Sequence, residues 1–195
     1  MTIATLISDV ISDTGRPDKS VLIGRYVRAA IIKCHEIDFF PQDLVTATVT
    51  PGSPGTSITE DLPARFRKFF AVYPVSSGGV PLGKRFTLDE AGFADSYSPV
   101  NRVNFSDYYK VVGNSIQIES VDTVDKFVWL YYEYPNLTED TAETWITLRY
   151  PQAVVDLATG YIQNKLGNTE IGNFSLQAFS SVWVPQIQQN LIVEL

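Results

Sequence analysis

Leu44-Val45-Thr46-Ala47-Thr48-Val49-Thr50 is the stretch on which the reading of this chain turns. Val45, Ala47 and Val49 alternate with Thr46, Thr48 and Thr50, the period of two expected of a strand with one face on a core and the other in water. Upstream the period is different. Ile3, Leu6, Ile7, Val10 and Ile11 fall at i, i+3, i+4, i+7 and i+8, a single apolar helical stripe, with Gly15 placed to end it. Pro17 and Asp18 open a second helix, predicted to run to about Phe39 with Val27, Ala30, Ile31, Cys34 and Ile37 on its core face and Arg25, Arg28, Lys33 and Glu36 mostly outward. Pro41 stops it, because the residue before a proline is pushed out of the helical region. Residues 1–43 therefore read as a helical hairpin.

Downstream, Pro51-Gly52-Ser53-Pro54-Gly55 makes a turn, and strands are predicted over Phe66 to Val75, Tyr108 to Val112, Ser115 to Glu119 and Phe127 to Tyr134. Gly78-Gly79 and Gly113-Asn114 are hairpin signals, since both pairs tolerate positive φ. After Pro135 the helical period returns. Pro151 suits a first turn, and Val154, Leu157, Ala158, Tyr161, Ile162 and Lys165 form a face ended by Gly167. A last helix is expected from Thr169 to about Trp183, with Ile171, Phe174, Ala178 and Val182 on one side, until Pro185 interrupts it. The fold class expected is α+β: a helical bundle made of the N-terminal hairpin and the C-terminal helices (1–43 and 135–195), an antiparallel β module inserted at 44–134, and a docking tail at 184–195.

Composition limits the function. The chain has 195 residues, enough for one ordinary domain and too few for two full enzyme domains. Hydrophobic residues at 45% and charged residues at 19% place it among globular chains rather than disordered ones. Fifteen Lys and Arg against 22 Asp and Glu give a net charge of −7, so no global positive field draws it to phosphates or anionic lipid. Asp9 and Asp13 interrupt the first apolar stretch and no cationic region precedes it, which argues against a signal peptide, and no apolar run approaches a membrane span. With Cys34 alone there is no internal disulfide, and the chain reads as cytosolic.

The search for chemistry returns little. In Cys34-His35-Glu36-Ile37-Asp38, neighbouring helix positions point about 100° apart, so Cys34 and His35 do not make a nucleophile and base. The expectation is a core cysteine beside a surface histidine. No second histidine follows to complete a zinc motif. Gly78-Gly79-Val80-Pro81-Leu82-Gly83-Lys84-Arg85 lacks the glycine spacing and the hydroxyl residue of a phosphate loop and reads as a hairpin with exposed bases. Glu60-Asp61, Asp89-Glu90 and Glu139-Asp140 are each adjacent in sequence, and nothing sets two carboxylates across a cleft. The aromatic runs Tyr108-Tyr109 and Trp129-Leu130-Tyr131-Tyr132-Glu133-Tyr134 have flanks as acidic as basic, so cross-strand packing accounts for them better than base stacking. No catalytic, cofactor or metal residue is expected.

Charge distribution says more. Residues 1–43 hold five cations against six acids, residues 44–134 eight against ten, and residues 135–195 two against six. Lys165 is the last cation, yet the residues after it include Phe174, Phe179, Trp183, Ile187, Leu191, Ile192 and Val193 among Asn, Gln and Ser. Interface cores are depleted in charge and rich in aromatics. Up to Trp183 a core-packed helix and a docking surface both fit this pattern; beyond Pro185 it points to docking. Trp183, Ile187, Leu191, Ile192 and Val193 are the candidate docking residues.

The order of elements resembles the head-to-tail adaptor (connector) proteins of tailed bacteriophages. The features that carry the resemblance are the hairpin closing at Glu36-Ile37-Asp38-Phe39-Phe40-Pro41, Asp61-Leu62-Pro63-Ala64-Arg65-Phe66-Arg67-Lys68 leading into a strand, and the turn Tyr109-Lys110-Val111-Val112-Gly113-Asn114-Ser115-Ile116. Leu130-Tyr131-Tyr132-Glu133-Tyr134-Pro135-Asn136-Leu137 and a helix ending Lys165-Leu166-Gly167-Asn168-Thr169-Glu170 complete it. The resemblance implies a structural virion protein, not an enzyme: a dodecameric ring beneath the portal protein, in contact with a tail or nozzle protein. It also implies a C-terminal segment reaching along the portal and DNA passing through the channel without sequence-specific binding. No membrane is involved, and the protein would act at the head-tail junction after assembly in the host cytoplasm. The alternative is a β-rich tail or baseplate module contacting a host-surface ligand.

Overall fold

The computed structural model describes residues 1–76, 78, 80, 82, 85–88 and 107–191. The chain divides into two compact units, Met1–Asp43 with Tyr134–Leu195, and Leu44–Glu133.

The first unit is helical. Helix α1, Ile3–Thr14, starts at Thr2, whose side chain accepts from the Thr5 N–H, and ends at Gly15 with φ of 63°, a left-handed stop that glycine adopts without steric cost. Its first N–H groups have no intrahelical acceptor; those of Ile3 and Ala4 donate instead to the carbonyls of Ala142 and Asp140. A 3₁₀ turn over Pro17–Lys19 leads into α2, Ser20–His35. This helix is shorter than its apolar pattern predicts, ending before Ile37 and Phe39. After Pro135 come α3 (Trp145–Arg149), which the sequence reading missed, then α4 (Pro151–Lys165), at the bounds its period predicts, and α5 (Thr169–Ala178). A capping box between Thr144 and Thr147 starts α3, and Gly167 ends the turn after α4 with φ of 88°.

Ile3, Leu6, Val10, Ile23, Val27, Ile31, Cys34, Val154, Leu157, Ala158 and Ile162 share one core. Buried residues lie on several sides of α4, Ala153 and Val155 as well as the predicted Val154, Leu157 and Ala158, so α4 is central rather than amphipathic. Lys165, assigned to that face by spacing, is exposed.

The second unit is made of strands: β1 (Leu44–Val49), β2 (Gly55–Asp61), β3 (Phe66–Val75), β4 (Thr87–Leu88), β5 (Tyr108–Val112), β6 (Ser115–Val124) and β7 (Lys126–Glu133). One sheet has the order β1-β7-β3 and the other β2-β6-β5-β4; every pairing is antiparallel except the short β4–β5 contact. The β5–β6 turn is Gly113-Asn114, with φ of 60° at Gly113 and no positive φ at Asn114, the signature of a type II′ turn. The Gly78-Gly79 hairpin signal falls partly outside the described residues.

Strand β2 was not predicted, because Gly55-Thr56-Ser57-Ile58-Thr59-Glu60-Asp61 offers a single large apolar residue, and only Ile58 is buried. The two sheets share a core of Ile58, Phe69, Val72, Tyr109, Ile116, Ile118, Phe127, Trp129 and Tyr131. Phe127, Trp129 and Tyr131 are alternate residues of β7, all pointing inward. Phe69 meets Trp129 edge to face at 5.6 Å and Tyr109 at 5.4 Å. The aromatic run is thus core packing, in geometries that add about 0.5–1.5 kcal/mol per pair beyond area burial.

Candidate docking surface

The helix that begins as α5 does not stop at Pro185. A π turn over Phe179–Trp183 carries it into α6, Val184–Gln188, with Pro185 in the first turn of α6. Proline has no N–H and its ring crowds the carbonyl four residues back, here that of Ser181. The π turn absorbs this: the Val184 N–H reaches back five residues to the Phe179 carbonyl, and the hydroxyls of Ser180 and Ser181 both donate to the Gln177 carbonyl, at 3.0 and 2.8 Å. The extra residue also keeps the core face in register. Gly172, Phe179 and Ile187 are buried, and the eight-residue step from Phe179 to Ile187 exceeds two ordinary turns of 3.6 residues.

The segment from Val184 onward, expected as a docking tail, is helical over Val184–Gln188 and part of it packs on the chain's own core. Ile187 is fully buried in the core of the helical unit, and Trp183 packs against that core with its indole N–H donating to Asp156 at 2.6 Å. Arg149 donates to Asn190 Oδ1, Asn190 donates to the Tyr150 hydroxyl, and that hydroxyl donates to the Gln186 carbonyl. Of the five residues singled out from sequence, Trp183 and Ile187 serve the chain's own packing and Leu191 is exposed; Ile192 and Val193 lie outside the described residues.

The apolar side chains that do face outward are others. Ile171, Phe174 and Val182 are 55, 74 and 45% exposed. They form the very stripe predicted from spacing, turned away from the core. Gly172 decides the rotation: a Cβ there would overlap the Asn164 side chain and lie 2.9 Å from the Asn164 backbone nitrogen. A Cβ at Gly160 would lie 2.9 Å from Leu176. The two glycines let α4 and α5 approach closely, which leaves Phe174 on the far side. Between Thr169 and Leu191 the only charged residue is Glu170. The result is a surface with a single charge, the exposed Glu170 one turn before Phe174, and a large aromatic beside it, a composition close to that of an interface core.

Among the described residues, the other candidates from the sequence are not assembled into a reacting site. His35 is not the surface histidine predicted. It is 1% exposed, and its Nδ1–H donates to Asp43 Oδ1 at 2.8 Å; Asp43, 6% exposed, also accepts from the Trp145 indole at 2.8 Å. The signal was present in the spacing of four along Val27, Ile31 and His35, which puts the imidazole on the buried stripe. Cys34 does lie in the core, and burial pushes its thiol up to about 12, away from thiolate chemistry. A cleft of about 220 Å³ in the β unit is lined by Phe66, Arg67, Lys68, Phe69, Leu88, Tyr109 and Val111, with no carboxylate, histidine or cysteine among them. Burial raises the Tyr109 hydroxyl above its usual range, although Arg85 opposes this, so it stays protonated. Among the described residues no group of His, Cys, Asp and Glu could hold a metal, and no helix is long and apolar enough to cross a membrane. Asp89-Glu90 and Lys84 lie outside the described residues.

A family model described as the SU10 adaptor protein matches residues 1–181, all of the β unit and the helical unit as far as the π turn. No curated protein matches the chain.

Proposed function

The chain belongs to the SU10 adaptor protein family, a family of phage head-to-tail adaptors and not of enzymes, and from that premise we propose that it forms a ring joining the portal to the tail. The helical unit is the ring body in this reading, and the outward face of α5 and its continuation is where a portal subunit or a neighbouring copy docks. Ile171, Phe174, Val182 and Leu191 would supply the contact, with Ile192 and Val193 extending it. The observation that carries this is the exposure of an aromatic and two β-branched side chains on a helix face with one charge in 23 residues. Contiguous apolar surface of that kind is a recurrent mark of protein-protein contact. DNA would pass through the ring without being held. The overall charge is −7 and the helical surface after Lys165 offers no cation, so few phosphates could be neutralised.

The test is Phe174→Glu and Val182→Glu, imaged by negative stain alone and mixed with a portal complex. Both side chains are exposed, so the variants should melt within about 0.5 kcal/mol of the parent. Ring formation or portal attachment should be lost. Unchanged assembly by a folded double variant would remove this face from consideration. Gel retardation of duplex DNA at physiological salt would count against the passive channel.

A further inference from the structure

We propose that the outer edge of β1 accepts an extended segment of another protein, which adds to the β1-β7-β3 sheet as a fourth strand. β1 pairs with β7 through six consecutive residues, from Leu44 opposite Tyr132 to Val49 opposite Phe127, with no shift of register. It is the last strand of its sheet, and no backbone hydrogen bond leaves its other side among the described residues. Alternate residues of an antiparallel strand turn both main-chain groups the same way, so β1 presents a row of open donors and acceptors about 20 Å long.

Folded proteins guard such rows with charge, proline, bulges or a covering segment. Of the other edges, β4 is only two residues long, and β3 and β2 are guarded. On the outer side of β3 the Phe86 N–H donates to the Val72 carbonyl at 2.8 Å and the Leu82 N–H to the Pro74 carbonyl at 2.9 Å, and β3 carries Pro74 and two register shifts. β2 ends in Glu60 and Asp61 and has a register shift between Gly55 and Ser57. β1 has no charge, no proline and no bulge.

The chemistry of the edge specifies its occupant. Open main-chain groups are matched by an extended backbone. Val45, Ala47 and Val49 are half-buried on the core side and Thr46 and Thr48 are exposed on the other, so the fitting segment is uncharged, with small apolar residues at alternate positions. A second copy of the whole chain fits less well. Two folded sheets meeting edge to edge cover only the flanks of two six-residue strands, short of the roughly 1,200 Å² of a stable interface, whereas a flexible segment also lays its apolar side chains beside Val45, Ala47 and Val49. This edge is separate from the α5 face and does not rest on it.

The experiment is amide hydrogen exchange of the full chain with a capped peptide of alternating valine and threonine, one lysine at each end for solubility. Exchange should slow by about threefold or more at every second residue of β1 and remain unchanged in β2. The same peptide N-methylated on alternate amides, in either register, should have no effect. Thr46→Lys with Thr48→Lys, both at exposed positions, should abolish the response while protection of β6 and β7 persists. Unchanged β1 exchange, an equal response to the methylated peptides, or protection that follows protein concentration with the mass of a dimer would overturn the proposal.

Discussion

Asp43 holds His35 through one carboxylate oxygen, Oδ1 to Nδ1 at 2.8 Å, and the same oxygen takes the Trp145 indole N–H at 2.8 Å. The last turn of α2, the residue eight positions on before β1, and the start of α3 a further 102 residues along therefore share one buried acceptor. The Trp145 ring is closed in by Phe40 at 4.9 Å and His35 at 5.6 Å, both edge to face. Asp43→Ala would leave the buried His35 donor and the half-buried Trp145 donor without this acceptor, at a cost of about 2–5 kcal/mol. Asp43→Asn keeps an oxygen at the same place and should cost less than half of that. Urea denaturation of the two variants measures the difference; equal losses would mean that packing, not the shared acceptor, matters at this site.

Ile187→Ala should destabilise the protein by about 2–5 kcal/mol, the range for truncating a fully buried aliphatic side chain. Removing Pro185 to Leu195 should likewise lower the melting temperature, since it also deletes the Asn190 and Gln186 contacts to Tyr150 and Arg149. A truncated chain as stable as the parent would show that the segment adds nothing to the core.

Gly172→Ala should cost about 1–3 kcal/mol, because the added methyl forces α4 and α5 apart. Asn164→Ala in the same chain should restore part of that loss: it removes the overlapping side chain and leaves the backbone nitrogen at 2.9 Å. Full restoration in thermal melts would mean that the backbone contact is of no consequence. Gly160→Ala should be milder, since its Cβ would meet Leu176 at 2.9 Å and the Gly172 carbonyl at 3.2 Å, whereas the one at Gly172 would overlap the Asn164 side chain.

Stability should fall as the pH rises above about 9. Burial pushes the Cys34 thiol from its usual 9.0 to about 12, so between those values the unfolded chain has released a proton that the folded chain keeps. Unfolding is then favoured by up to about 1.4 kcal/mol per pH unit for this group. Below pH 9 both states keep the proton and the effect vanishes. Burial also raises Tyr161, as do Cys34 and Glu36, which adds to the same slope at higher pH. Cys34→Ala should flatten the decline between pH 9 and 11 in urea titrations. An unaltered slope would assign it to the tyrosines alone.

The sequence by itself determined the kinds of element and the place where they change. The apolar period passes from 3.6 to 2 at Leu44, where β1 begins, and the strands Phe66–Val75 and Tyr108–Val112 have the bounds read from their β-rich runs. Local pattern is enough there, because a strand or helix with one apolar face has only one way to bury it. What tertiary structure alone decided is which way a face turns once two faces are available. On α5 the stripe of Ile171, Phe174 and Val182 is the more apolar by spacing, yet it faces outward, because Gly172 fits against Asn164 and no larger residue could. Pro185 reads as an end to the helix, and the core partners of Trp183 and Ile187, which local pattern does not reveal, favour the π turn that carries the chain past it. The spacing of four along Val27, Ile31 and His35 already sets the imidazole on the buried stripe; what tertiary structure adds is its partner, since Trp145 comes from 102 residues beyond Asp43 to share that carboxylate with it.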